Sequence, residues 1–157
     1  MRECEKWTAA FCAAQENHLE IMRILHEMRA DLDKPNTLEG TTPAGIAAAS
    51  GHTAVVQLLY DLGADVHRAR NDGGRPIHDA ARNGRDRTVL LLLSLEASID
   101  AQDNEGRTPC WEAACNGHAK VIRLLLMHRA DVDLATTSDK KQTPLFKKEK
   151  KNRPECI

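Results

Sequence analysis

The chain has 157 residues, of which 41% are hydrophobic and 3% aromatic. This suits one domain or one short solenoid with a continuous core, and so few aromatic residues argue against a β-sandwich or a base-stacking surface. The net charge of -1 conceals an asymmetry, since residues 1–139 carry 15 Lys or Arg against 21 Asp or Glu, whereas residues 140–157 carry 7 against 2. The acidic body argues against nucleic acid as a partner, because basic residues drive most of that affinity.

Cysteine spacing and hydropathy exclude further classes of protein. The five cysteines are odd in number and form no CxxC pair, so neither a disulfide framework nor a zinc site is predicted. The first residues are charged and lead into no apolar signal segment, and the longest apolar run, residues 89–93, is too short to span a bilayer. We therefore expect a cytoplasmic or nuclear protein, not inserted in a membrane and without a metal or cofactor.

The predicted elements follow a period of 33 or 34 residues. Prolines at 43, 76 and 109 are 33 residues apart, and glycines at 51, 84 and 117 follow each of them after eight residues. Extending this phase predicts four units, at about 3–36, 37–69, 70–102 and 103–137, with a partial fifth at 138–146. The repeat domain would thus cover residues 1–146 and leave a basic tail at 147–157.

Each unit is predicted to form two short helices followed by a hairpin loop. Thr42 and Thr108 precede proline, so each can cap a first helix, and proline at the first helical position sacrifices no hydrogen bond. The glycine eight residues later can end that helix in a left-handed conformation, with Asn17 as its substitute in the first unit. A recurring Val and Leu pattern marks the second helix. Helix pairs this short must stack to bury their apolar faces, which predicts an all-α solenoid.

The second unit resembles the ankyrin repeat in its Thr42-Pro43, Ala47-Ala48, Gly51-His52, Val55-Val56, Leu58-Leu59 and Gly63-Ala64-Asp65-Val66. The resemblance covers about residues 3–146 and implies a solenoid of stacked helix-turn-helix units. It also implies a non-catalytic scaffold that binds another protein, although the fold does not identify that protein. Two other functions stay open: a regulatory or targeting segment of a larger enzyme or channel, and a structural subunit of a large assembly.

Departures from the family pattern predict only modest stability. Gly45 replaces a large polar residue, and a glycine inside a helix costs about 1 kcal/mol relative to alanine. Arg29, Glu96 and Arg129 stand where the second unit has Gly63, so three units are expected to bear a small backbone penalty.

The resemblance implies that a partner binds the concave side, formed by the hairpin tips and the exposed face of the first helices. The tips are Leu38-Glu39, Asn71-Asp72 and Asn104-Glu105. The helix-face candidates are Trp7, Gln15, Glu16, Thr41, Ser50, Arg82, Asn83, Arg107, Trp111, Cys115 and Asn116. Trp7 could instead pack over the first unit, and Trp111 between units.

Three other residue types have competing interpretations. The third unit is rich in arginine, which indicates either a solvated surface with local ion pairs or a basic stripe for an acidic partner segment. His18, His52 and His118 share one repeat position, which favours a structural role over metal binding. Cys115 lacks the base and oxyanion donors of a nucleophile, so no catalytic site is predicted.

The chain beyond the fourth unit has alternatives of its own. The basic tail is either a solvated end or a nuclear-import signal. Because the partial fifth unit is short, the apolar flank of the fourth unit is expected to be capped by the tail, by further repeats or by a partner.

Overall fold

A computed structural model describes residues 7–134 and shows eight α-helices and no strand in that part of the chain. The helices are α1 (Ala9–Gln15), α2 (Leu19–Glu27), α3 (Pro43–Ser50), α4 (Thr53–Asp61), α5 (Pro76–Arg82), α6 (Asp86–Ser94), α7 (Pro109–Cys115) and α8 (Ala119–Met127). The all-α prediction is confirmed. The partial fifth unit at 138–146 and the basic tail at 147–157 lie outside the described residues, as do all the caps suggested for the fourth unit.

The first helix of each unit begins where the sequence predicts. The hydroxyl oxygens of Thr8, Thr42 and Thr108 each accept a hydrogen bond of 3.1 Å from a backbone N–H three residues later. In the third unit Arg75 replaces threonine, and its backbone N–H donates to His78 Nδ1 at 3.1 Å. The caps predicted at Thr42 and Thr108 are therefore confirmed, and Thr8 makes the same cap in the first unit. In the third unit the His78 ring accepts the hydrogen bond of the Arg75 N–H.

Left-handed residues end both helices of a unit. After the first helices, φ is +61° at Asn17, +82° at Gly51, +68° at Gly84 and +77° at Gly117. After the second helices, Gly63 has a φ of +84°, but the equivalent residues are Arg29 (+58°), Glu96 (+68°) and Arg129 (+66°). These three residues adopt a left-handed backbone conformation, which costs an L-residue about 1 kcal/mol, as predicted.

The units stack so that first helices pack on first helices and second helices on second helices. Alanines such as Ala47 and Ala80 are fully buried and let the first helices approach closely, while Val55, Leu59 and Leu92 fill the layer between the two rows. These residues belong to one core cluster that runs through all four described units. Each unit therefore completes the core of its neighbour.

Polar bonds hold the units in register. His52 Nε2 lies 2.9 Å from the carbonyl oxygen of Gln15, and His118 Nε2 lies 2.8 Å from that of Arg82. In the third unit Arg85 makes the equivalent bond, from Nε to the Ala49 oxygen at 3.0 Å. The structural role predicted for this histidine position is confirmed at His52 and His118.

The hairpin tips form a second ladder. The Asn71 N–H donates to the Glu39 oxygen at 3.0 Å, and the Asn104 N–H donates to the Asp72 oxygen at 2.9 Å. The tips are thus fixed relative to one another along the solenoid.

Candidate partner-binding groove

A groove of about 440 Å³ opens on the side of the solenoid formed by the first helices and the hairpins; we call it the inner groove. Its lining is Trp7, Phe11, Gln15, Asn36, Leu38, Glu39, Thr41, Gly45, Ile46, Ala49, Ser50, Arg70, Asp79, Arg82 and Asn83. An adjoining depression of about 230 Å³ adds Asn71 and Asp72. The inner groove therefore spans the first three units.

One end of the inner groove is apolar. The Trp7 side chain is 46% exposed and Leu38 is 58% exposed. Trp7 also packs on Phe11, with the ring centroids 5.3 Å apart. The packing of Trp7 on the first unit is therefore confirmed, and the rest of the indole is exposed in the groove. Contact of Trp7 with a partner stays a prediction.

The floor of the inner groove has no side chain at Gly45. The equivalent residues in the other three described units are Phe11, His78 and Trp111, all of which are bulky and at most 7% exposed. A Cβ atom at Gly45 would lie 3.2 Å from Thr41 Cγ2, 3.5 Å from Thr42 Oγ1 and 3.6 Å from Asp79 Oδ2. The part of the inner groove next to Gly45, which we call the recess, is therefore bordered by a methyl group, a hydroxyl oxygen and a carboxylate oxygen.

The other end of the inner groove is built from ion pairs. Arg70 binds Asp72 through Nε and Asp79 through Nη1, both at 2.7 Å. Arg82 binds the Glu112 carboxylate with two hydrogen bonds, Nε to Oε2 at 3.0 Å and Nη2 to Oε1 at 2.7 Å. Asp79 and Glu112 are only 4% and 2% exposed. These arginines are therefore neutralised by buried carboxylates.

The same pairing continues into the fourth unit, where Arg107 Nε lies 2.6 Å from Asp103 Oδ2 and 3.6 Å from Glu112 Oε1. Of the two interpretations of the arginine-rich unit, the structure supports local ion pairing for Arg70 and Arg82. Two of the acidic partners, Asp79 and Glu112, are buried, whereas the Asp72 side chain is 45% exposed.

Burial sets the protonation behaviour of these groups. Desolvation raises the pKa of Asp79 to about 6, against the opposing effect of the Arg70 and Arg82 charges. The pKa of Asp72 is lowered, because hydrogen bonds from Arg70 and the Gly74 N–H outweigh its partial burial. The hydrogen bonds that Arg82 donates to Glu112 raise the pKa of Arg82, so that guanidinium stays charged.

The family model described as "Ankyrin repeats (3 copies)" matches residues 1–70 and 77–157. The chain belongs to the ankyrin-repeat family. Ankyrin repeats are in general protein-interaction modules and are typically not catalytic. No curated protein matches this chain.

The inner groove gathers ten of the seventeen predicted residues of this ankyrin array. Eight line the groove itself: Trp7, Gln15, Leu38, Glu39, Thr41, Ser50, Arg82 and Asn83. Asn71 and Asp72 line the adjoining depression. The other seven lie outside both: Glu16, Asn104, Glu105, Arg107, Trp111, Cys115 and Asn116.

Two of the predicted accessible side chains are buried. Thr41 is 9% exposed, since its methyl group packs toward the Gly45 backbone, and its hydroxyl has no hydrogen-bond partner among the described residues. Trp111 is 7% exposed, with the Arg107 guanidinium 5.7 Å from its ring centroid. Trp111 is therefore a buried side chain instead of an open position at the edge of the groove, and its packing between units stays a prediction.

The groove residues missed from the sequence are Phe11, Asn36, Gly45, Ile46, Ala49, Arg70 and Asp79. Comparing equivalent positions of the repeat units could have indicated two of them. Gly45 departs from its bulky equivalents, and Asp79 places a charge on the buried side of a first helix.

None of the helices between residues 7 and 134 is long and apolar enough to cross a bilayer. Within those residues, no group of three His, Cys, Asp or Glu side chains could hold a metal ion.

Proposed function

We propose that this protein is a non-catalytic interaction scaffold that binds another protein in its inner groove, on the concave ankyrin surface. The observation that carries the proposal is the position of Trp7 and Leu38. Both are large apolar side chains about half exposed, and both line the same groove. Tryptophan in a groove is a common anchor of protein interfaces.

The groove is also preorganised for binding. Its hairpin tips are joined by backbone hydrogen bonds, and Arg82 is held by both Nε and Nη2. Rigid contact residues lose little conformational entropy when a partner binds, so more of the contact energy appears as affinity.

Other exposed apolar residues lie on the second helices, away from the inner groove. Among them Leu90 of α6 is 47% exposed, close to the exposure of Trp7. Leu90 therefore offers a matched control for a substitution at Leu38.

We expect the protein to act in the cytoplasm or nucleus. This is supported by Cys12 and Cys110, which are free thiols in the described part of the chain. Free thiols are typical of reducing compartments.

Site-specific photo-crosslinking tests the proposal. A benzophenone amino acid placed at position 38 is expected to capture a defined protein in cells, while the same group at position 90 does not. Leu38→Glu is expected to abolish co-purification of that protein, and Leu90→Glu to preserve it. Equal capture from both positions, or a partner insensitive to Leu38→Glu, would remove the inner groove from the proposal.

A further inference from the structure

The recess at Gly45 contains a carboxylate oxygen with no hydrogen bond. Asp79 Oδ1 accepts the bond from Arg70 at 2.7 Å. Asp79 Oδ2 lies 3.6 Å from where a Gly45 Cβ would be, and it accepts no hydrogen bond from any residue in the described part of the chain. Asp79 as a residue is 4% exposed, and its unbonded oxygen faces the groove, where it offers a binding position to a donor.

Carboxylates outnumber guanidinium groups around that recess. The groove and its depression contain Glu39, Asp72 and Asp79 against Arg70 and Arg82. With all carboxylates ionised, these three acids and two arginines sum to a charge of -1. Arg82 is moreover held by Glu112, which it shares with Arg107. A cationic group is therefore favoured and an anionic one disfavoured.

We propose that the inner groove binds an extended peptide segment of the partner in which a lysine or arginine side chain enters the Gly45 recess and donates to Asp79 Oδ2. Apolar residues next to that cation lie against Trp7 and Leu38. This proposal rests on the proposed function and extends it, because it names the chemistry of the peptide segment that binds in the groove.

The walls of the recess suit the stem of such a side chain. Ile46 and Ala49, both partly exposed, line the groove near Gly45 and provide apolar surface. Lysine and arginine bury their methylene stems on apolar surface while the head stays with polar groups. A purely apolar side chain would instead leave Oδ2 desolvated and unpaired, which is unfavourable.

Protonation provides a second signature of the contact. The pKa of Asp79 is about 6 because the group is buried, with Arg70 and Arg82 opposing that rise and Asp72 and Glu112 adding to it. A bound cation favours the ionised carboxylate, so binding should release a proton at pH values near 6. Affinity is then expected to rise between pH 5 and pH 7.

Selection from a library of random 12-residue peptides tests the chemistry, with the full-length chain as bait. Enriched peptides are expected to carry lysine or arginine within about three positions of a large apolar residue. In one enriched peptide that lacks histidine, replacing the arginine by uncharged citrulline, or the lysine by norleucine, should weaken binding at least tenfold.

Variants of the protein locate the contact. Asp79→Asn should weaken binding at least tenfold and remove its pH dependence, whereas Asp61→Asn, on the exposed end of α4, should change neither. Gly45→His should block the recess as His78 fills its own position, and Gly45→Ala should have a smaller effect. A urea melt of each variant separates loss of binding from loss of folding.

Several outcomes would overturn the inference. These are selection of acidic peptides or of none, equal binding by the citrulline or norleucine peptide, and unchanged affinity of the folded Asp79→Asn variant. Each of them leaves the crosslinking result at position 38 intact, so the proposed function and the cationic segment fail separately.

Discussion

Arg82 joins the third unit to the fourth twice, through its side chain and through its main chain. Its guanidinium donates two hydrogen bonds to Glu112, at 3.0 and 2.7 Å, and its carbonyl oxygen lies 2.8 Å from His118 Nε2. Glu112 is 2% exposed, so the Arg82–Glu112 ion pair is largely buried and links the third unit to the fourth.

We predict that Arg82→Ala lowers the free energy of unfolding by about 3 kcal/mol, since it leaves a buried carboxylate with only the more distant Arg107 as a partner. Replacing both Arg82 and Glu112 by leucine should restore most of that loss, because an apolar pair of similar volume needs no desolvated charge. Urea melts measure both effects. Arg87→Ala, at an exposed position of α6, is the control and should change stability by less than about 0.5 kcal/mol.

The buried Asp79 should make stability fall as pH rises. Its pKa is about 6 in the folded protein, whereas its ordinary value is 3.8, so between these values the folded state binds more protons than the unfolded state. Ionisation near pH 6 therefore costs folding free energy. We predict that Asp79→Asn gains about 2 kcal/mol relative to the wild type between pH 4 and pH 7, as urea melts would show. A constant difference across that range would contradict the raised pKa.

His78 should act in the opposite direction. Its Nδ1 accepts from the Arg75 N–H, so Nε2 carries the proton and donates to the oxygens of Ala101 at 2.9 Å and Arg107 at 3.1 Å. Burial lowers the pKa of this histidine from 6.5, so the unfolded state binds more protons below that value. Stability from neutral His78 is thus complete above pH 6.5 and declines as pH falls.

The measurement compares wild type with His78→Gln from pH 7 to pH 5. The variant is less stable at pH 7, but the difference should shrink as pH falls, because the variant has no imidazole to protonate. A histidine ring signal of His78 that titrates at pH 6.5 in NMR spectra of the folded protein would disprove the lowered pKa.

The left-handed residues after the second helices allow two opposite substitutions, one that introduces a glycine and one that removes a glycine. Glu96 has a φ of +68°, so Glu96→Gly should stabilise the protein by about 1 kcal/mol. Gly63 has a φ of +84° and no atom within 4 Å of an added Cβ, so Gly63→Ala should destabilise it by a similar amount through the backbone alone. Thermal or urea melts test both. As a control, Glu27→Gly at the end of α2 should destabilise, since φ is helical there.

Local chemistry made the helices and their ends predictable. A threonine cap, a proline at the first helical position and a glycine that tolerates positive φ each act within about four residues of chain. The repeat period then supplied long-range information as well, because equivalent residues of stacked units must be neighbours. The role of His52 followed from its position in the repeat for that reason.

The inner groove was only partly predictable, because exposure depends on atoms from three units at once. Thr41 and Trp111 hold positions that face solvent in the repeat pattern, yet each is covered by residues of this particular chain. Arg70 could not be assigned to Asp79 from the sequence, since several carboxylates were within possible reach and the hairpin geometry selects between them.

The sequence alone determined the ankyrin solenoid, because period, caps and turn residues act locally and repeat. The side on which a partner is expected was implied by the family resemblance. Only the tertiary structure shows that the inner groove lies on the first three units and that its arginines are already paired with carboxylates. It also shows that an unbonded oxygen of Asp79 faces Gly45. Those features depend on packing between units. Gly45 of the second unit borders a binding position for a cation only because the third unit places the Asp79 carboxylate beside it.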